Sequence, residues 1–148
     1  MESEIKLKTV PINLMYMMIG ELPLVAVDEI NNHIDNVIID KNKSYADNLV
    51  GQISQDKKSS QLDFDLKTPY GKNFKEMLDG CATSLIQSGY KREAKADAIE
   101  CWTVSSYAGD YNPFHSHGTL TPAGLSCILY LKVPDCIKEK SEVPMLNS

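Results

Sequence analysis

The chain has 148 residues, with 15 Lys and Arg against 20 Asp and Glu, and a formal net charge of −5. This is the length of one domain, and 43% hydrophobic and 24% charged residues are usual for a globular protein rather than a disordered one. With a pI near 5.1 the chain has no basic surplus to release the counterions of a phosphate backbone, so nucleic acid is not an expected partner.

The spacing of the cysteines and the length of the apolar stretches indicate the cellular compartment of the protein. The four cysteines, at positions 81, 101, 127 and 136, lack the C-x-x-C spacing of a zinc knuckle or a thioredoxin-like pair. The first residues contain acids and no apolar leader. The longest apolar stretch, residues 12–27, is interrupted by Asn13, Glu21 and Pro23, and a membrane span needs about 20 apolar residues. We therefore expect a reduced, cytoplasmic protein without a membrane span.

The N-terminal part of the chain carries a strand pattern and then a helix pattern. Residues 5–14 mix apolar and polar positions as a strand does, with an interruption at Pro11. Residues 24–39 predict a helix, because their apolar positions fall three and four apart, at Val27, Ile30, Ile34, Val37 and Ile38. Residues 40–68 are polar and predict a solvated loop.

The second half of the sequence changes from a helical pattern to a strand pattern. Apolar residues from Phe74 to Ile86 repeat at helical spacing, and Gly89 predicts the end of this helix. Residues 98–105 alternate as a strand does, and residues 125–133 form a nearly continuous apolar run that predicts a buried strand. The pattern as a whole predicts an α+β domain with N-terminal helices packed on a β-sheet.

The residues best suited to bind a metal or to take part in catalysis lie between Tyr107 and Gly118. In this segment, YAGDYNPFHSHG, His115 and His117 stand two residues apart. In an extended chain, residues at this spacing point to the same face, so both imidazoles can reach one metal ion. Imidazole suits iron, zinc, copper and nickel, but two ligands need a third from elsewhere in the fold. The alternative is a polar loop that contains two histidines by chance.

The pattern W-x4-Y-x-G-x-Y-N-x2-H-x-H, followed by L-S-x-I-L-Y-L, resembles the 2-oxoglutarate/Fe(II)-dependent oxygenases. The similarity covers residues 100–134 and is greatest to the prolyl-hydroxylase-like branch, which includes uncharacterised members common in marine phages and bacteria. It implies a jelly-roll (double-stranded β-helix) core that holds Fe(II) on H-x-[DE]…H. It also implies that 2-oxoglutarate chelates the metal and is oxidised to succinate as O₂ is activated.

The resemblance implies roles for four residues and assigns no further catalytic side chain. His115 matches the first metal ligand, and His117 stands where the family normally has a carboxylate. Tyr130 matches a tyrosine that hydrogen-bonds the distal carboxylate of 2-oxoglutarate in some relatives, and Tyr107 resembles another tyrosine of the cosubstrate pocket. Core packing with a hydrogen-bonded hydroxyl is the alternative for both tyrosines.

Two departures from the family pattern alter these expectations. A neutral imidazole at His117 removes one negative charge, which weakens Fe(II) affinity, although cupin-like proteins with the same barrel also use H-x-H. The family's distal histidine, and the Arg or Lys that pairs the far carboxylate of the cosubstrate, lie well after the first histidine, whereas this chain has no histidine and no arginine after His117. The resemblance gives no support to His33 as a third ligand. The remaining chain is too short for a barrel of about eight strands, so we expect residues 1–148 to be one C-terminally incomplete domain.

Three functions follow from these residues. The first is a non-haem Fe(II), 2-oxoglutarate-dependent dioxygenase whose substrate is unknown, with protein side chains, small metabolites and modified nucleotides all open. The second is a cupin-like or degenerate protein that binds a metal or a small acid without oxidising it. The third is an interaction protein of a phage or bacterium with surface histidines. The open strand edges of an incomplete barrel favour self-association.

Overall fold

The structure, a computed structural model, describes residues 5–12, 15–41, 43–45, 60–111, 113 and 124–135. Its elements in chain order are strands β1 (Lys6–Ile12) and β2 (Met15–Glu21), helix α1 (Leu24–His33), a π-helical turn (Ile34–Ile38), the short helix α2 (Ile39–Lys41), strand β3 (Gln61–Asp63), helix α3 (Pro69–Ser88) and strand β4 (Trp102–Val104).

The first two strands form an antiparallel hairpin. Its register runs from Lys6 opposite Glu21 to Ile12 opposite Met15. The strand expected at residues 5–14 is thus confirmed as far as Ile12, whereas β2 arises in an apolar stretch for which we predicted no strand. The hairpin contacts the end of α3 through Tyr16, whose backbone N–H donates to the Tyr90 hydroxyl at 3.3 Å.

The first predicted helix is confirmed, with one irregularity. Helix α1, the π-helical turn and α2 are continuous from Leu24 to Lys41. Ile30 and Ile38 are buried, and Ile34 lies between them against the core. Residues four apart lie on one face of a helix, so this stripe is the surface that packs against the rest of the fold.

Strand β3 and the residues after it form the centre of the core. Leu62 in β3, Phe64 directly after it and Leu66 in the turn that follows alternate with polar residues, and all three are buried together with Ile38. Leu62 is the most deeply buried, with 1% of its surface exposed. The loop predicted over residues 40–68 is therefore wrong for residues 60–66, and residues 46–59 lie outside the described part of the chain.

Strand β3 has hydrogen-bonded neighbours on both sides. Strand β4 pairs with it in antiparallel register, with Leu62 opposite Thr103. On its other side Leu62 forms a bridge with Ser44, and the Tyr45 backbone N–H donates to the Gln61 carbonyl at 2.9 Å. Because β4 and the segment at Ser44 both pair with β3 at Leu62, this residue links the paired strands to the hydrophobic core.

Helix α3 confirms the second predicted helix and has well-defined ends. It begins after Thr68, whose Oγ1 accepts a hydrogen bond from the Gly71 backbone N–H at 3.0 Å and satisfies one unpaired donor of the first turn. It ends before Gly89, whose N–H donates to the Leu85 carbonyl at 2.8 Å. A Cβ at Gly89 would lie 2.9 Å from Cγ of Tyr16, so the hairpin also packs closely here.

The chain after α3 returns along the helix before it enters β4. The Thr83 hydroxyl accepts a hydrogen bond from the Ala96 N–H at 3.0 Å, and the Asp79 carboxylate accepts one from the Ala98 N–H at 2.6 Å. Although burial opposes it, the hydrogen bond from the Lys75 ammonium, followed by the one from the Ala98 N–H, lowers the pKa of Asp79. The strand expected over residues 98–105 is confined to β4, because the backbone before it bonds to α3.

The buried strand predicted at residues 125–133 is wrong for this structure. The segment has no regular structure, and residues 124–130 are exposed. An apolar run becomes a buried strand only where it finds a pairing partner, and none of the strands in the described residues pairs with it. Lys132 nevertheless contacts the first helix, with its ammonium 2.8 Å from the Asp35 carboxylate.

The described residues contain antiparallel strands and helices, and the jelly-roll barrel stays a prediction. Across the ranges that the structure covers, none of the helices combines the length and the apolar character that crossing a bilayer requires.

Replacement of Leu62 tests the position of the core. We expect Leu62→Ala to lower the free energy of unfolding by about 2–5 kcal/mol, because it removes buried methyl groups and leaves a cavity. Leu24→Ala, at a residue that is 81% exposed, is the matched control and should change little. Urea denaturation measures both, and equal effects would contradict this description of the core.

Two glycines on α3 should respond to alanine with opposite signs. A Cβ at Gly71 would overlap the Asp65 carbonyl and lie 2.8 Å from the Leu66 Cα, so we expect Gly71→Ala to destabilise by about 1–3 kcal/mol. Gly80 has open space around it, and Gly80→Ala should stabilise the helix by about 0.5–1 kcal/mol. Thermal melting of both variants compares the signs, and stabilisation by Gly71→Ala would show that this contact is absent.

Candidate functional site

The histidine pair that carries the metal hypothesis, His115 and His117, lies outside the described residues. The structure describes residues before the pair, as far as 113, and residues after it, from 124 to 135. The pair itself stays a prediction.

A tight turn precedes the pair. The Tyr107 backbone N–H donates to the Asp110 carboxylate at 2.8 Å, and the Asp110 N–H donates back to the Tyr107 carbonyl at 3.0 Å. Gly109 has a φ of +93°, which side-chain-bearing residues adopt rarely and glycine adopts without strain. Glycine followed by aspartate is a common turn sequence, and the structure forms a turn here, shortly after β4.

Trp102, the first residue of the motif, is anchored in the sheet. Its indole stacks on the Tyr45 ring with centroids 5.1 Å apart and an angle of 8° between the planes. Burial, together with the charge and hydrogen bonding of Glu100, raises the pKa of Tyr45, so its hydroxyl stays protonated at neutral pH. The Ser105 N–H donates to the Ser60 carbonyl at 2.7 Å, which continues the pairing of β4 beyond its last residue.

The two candidate cosubstrate tyrosines are both accessible. Tyr107 is 42% exposed at the start of the turn, and Tyr130 is 78% exposed in the irregular segment. Exposure to this degree does not fit the alternative of core packing. The contacts of these tyrosines with a cosubstrate stay predictions.

His33 packs in a cluster of aromatic rings. Its imidazole stacks on Tyr70 with centroids 4.0 Å apart and meets the Phe64 ring edge-on at 5.5 Å. Burial, followed by the positive charge of Lys41, lowers the pKa of His33, so the ring is neutral at pH 7. The imidazole thus joins α1 to α3 and the core, which is a structural role and offers no support for a third metal ligand.

Other metal-binding and nucleophilic groups give no alternative centre. Among the residues that the structure describes, no group of three or more His, Cys, Asp or Glu side chains is placed to hold a metal ion. Burial raises the pKa of Cys81, and that of Cys101 to about 11. Thiols with raised pKa values stay protonated and are poor nucleophiles, which disfavours cysteine chemistry at these positions.

A second group of polar residues was missed by the sequence analysis. Lys43, Tyr45 and Asp63 fall in the predicted loop, yet they line a cleft of about 280 Å³ beside β3. The signal that would have found them is the strict alternation in Gln61-Leu-Asp-Phe-Asp-Leu66, which places aspartates on the face opposite the core.

Comparison with known proteins adds no family assignment, because the sequence matches no family model, no curated protein and no solved structure.

Titration of His33 should be visible in the stability of the protein. Its pKa in the folded chain lies below the ordinary value of 6.5, so the unfolded chain binds the proton more readily. The neutral His33 imidazole contributes its full stabilisation above pH 6.5, the ordinary pKa of the unfolded chain. This contribution is lost as the pH falls through the lower pKa of His33 in the folded chain. We expect the free energy of unfolding to fall more steeply between pH 7 and pH 5 in the wild type than in His33→Gln, as measured by urea denaturation.

Parallel pH profiles for the wild type and His33→Gln would show that the ring packing does not disfavour the charged imidazole.

Proposed function

We propose that this protein is a non-haem Fe(II), 2-oxoglutarate-dependent dioxygenase, with a substrate that is unknown. The observation that carries the proposal is the order of residues along the chain: an anchored Trp102, the Gly109 turn and then two histidines two residues apart. This is the order in which the oxygenases that the sequence resembles present their first metal ligands.

His115 and His117 are the residues that would hold the metal. In an extended segment both imidazoles lie on one face, and imidazole nitrogen is a suitable donor for Fe(II). Two neutral ligands compensate none of the charge of the ion, so Fe(II) should bind more weakly than to a site with a carboxylate. The given sequence has no histidine after His117, so His115 and His117 are the two ligands that the proposal assigns.

Tyr107 and Tyr130 are proposed to bind the cosubstrate. Both side chains are accessible, and a phenolic hydroxyl can donate a hydrogen bond to a carboxylate of 2-oxoglutarate. When bound, Fe(II) and 2-oxoglutarate supply the activation of O₂ for hydroxylation. The role of the protein chain is to position the two tyrosines and the two histidines.

A cupin-like or degenerate metal-binding protein is the second candidate. The imidazole at His117, in place of the usual carboxylate, favours it, because a weaker ferrous site is less suited to oxygen chemistry. This candidate predicts retention of zinc or nickel without consumption of O₂ that depends on 2-oxoglutarate.

An anaerobic titration of the protein with Fe(II) and then 2-oxoglutarate tests the proposal. Chelation should produce a visible metal-to-ligand charge-transfer band, and His115→Ala should abolish it. His33→Gln is the matched control, because it removes a histidine that packs against Tyr70 and should leave the band intact.

A folded protein that gives no band, or a band that persists in His115→Ala, would overturn the proposal. Metal retention without the band would favour the cupin-like candidate. If the double replacement of His115 and His117 changes neither the metal content nor the stability, the histidines have no ligand role.

A further inference from the structure

The cleft beside β3 combines an apolar surface with a carboxylate. Phe64 and Leu66 line it and are buried in the core, and Ile99 lines it with 82% of its side chain exposed. A volume of about 280 Å³ is near the lower end of the usual range for ligand sites, so it suits a small ligand or a single side chain.

The carboxylate of this cleft is paired with an ammonium from the same chain. Lys43 Nζ lies 2.5 Å from an Asp63 carboxylate oxygen. The two partners differ in exposure, since the Asp63 side chain is 17% exposed and the Lys43 side chain is 72% exposed. The carboxylate therefore belongs to the wall of the cleft, whereas the lysine reaches it on a flexible stem from solvent.

This pairing is easily replaced by a similar cation from outside. A mostly exposed lysine gains little from an ion pair, because water screens the charges and the side chain loses conformational freedom. Among the residues that the structure describes, the lining has three carboxylates, Asp63, Asp65 and Glu100, against the two ammonium groups of Lys43 and Lys67. Its net charge is negative, as is that of the whole chain, so an anion is disfavoured.

We propose that this cleft binds a primary aliphatic amine. The ligand's ammonium takes the place of Lys43 at the Asp63 carboxylate, and its apolar stem lies on the accessible side chains of Tyr45 and Ile99. A peptide lysine side chain and a free diamine share this chemistry. The inference does not depend on the proposed oxygenase function, because neither Fe(II) nor 2-oxoglutarate takes part.

Trp102 provides a direct reporter of binding. It is the one tryptophan of the chain, and it stacks on Tyr45, which lines the cleft. We expect titration with cadaverine, without added metal, to change the Trp102 fluorescence in a saturable way. 1-Pentanol has the same stem without the ammonium and should give no saturable change.

Replacement of the two ion-pair partners should have opposite effects. Lys43→Gln removes the competing ammonium and should tighten cadaverine binding by about two- to sixfold, because an exposed ion pair occupies the Asp63 carboxylate for only part of the time. Asp63→Asn should abolish the binding. Lys132→Gln is the matched control, because Lys132 also forms an exposed ion pair, with Asp35, and does not line the cleft.

A gain of affinity in Lys43→Gln requires a folded protein, so the test does not depend on the stability of Asp63→Asn. The proposal is overturned if Lys43→Gln melts like the wild type and shows no tighter binding, if 1-pentanol binds as well as cadaverine, or if Lys132→Gln has the same effect as Lys43→Gln. Nα-acetyl-lysine methylamide is titrated in parallel, and tighter binding of that probe than of cadaverine assigns the cleft to a peptide lysine, whereas the reverse assigns it to a free amine.

Discussion

The burial of one alternating segment, Leu62, Phe64 and Leu66, is the constraint on which the rest of this structure depends. These side chains pack against Ile38 of the first helix, while the backbone of β3 pairs with β4 on one side and with Ser44 on the other. Successive side chains of an extended chain point to opposite faces, so burial of the apolar set turns the aspartates between them toward the opposite face. The same alternation therefore forms the core and places a carboxylate in the adjacent cleft.

The helices could be predicted and the central strand could not, for a physical reason. Helix α3 repeats its apolar residues over five turns, so its period is clear from the sequence alone. Strand β3 follows a long polar tract, and its alternation is too short to stand out from that composition. The apolar run at residues 125–133 shows the reverse error, because hydrophobicity identifies a segment that can be buried but not the strand that must pair with it.

Some features of the candidate site depend on neighbouring residues in the sequence, and others depend on contacts between distant segments. The turn at Gly109 was predictable because a glycine followed by an aspartate is a local signal for a positive φ. The stacking of Trp102 on Tyr45 was not, since the two rings come from separate segments that only the β3 pairing brings together.

The chain leads from the core toward the proposed metal-binding histidines through a hydrogen-bonded strand and a turn. Ligand geometry is held more accurately when the segment that carries it leaves a rigid element. Here β4 is hydrogen-bonded to β3, the bond from Ser105 to Ser60 continues that pairing, and the reciprocal bonds between Tyr107 and Asp110 close the next turn. Each of these steps is short and hydrogen-bonded, so the chain as far as Asp110 is tied to the strand that carries Leu62. The stability of the core and the position of the turn at Gly109 are therefore coupled through a single strand.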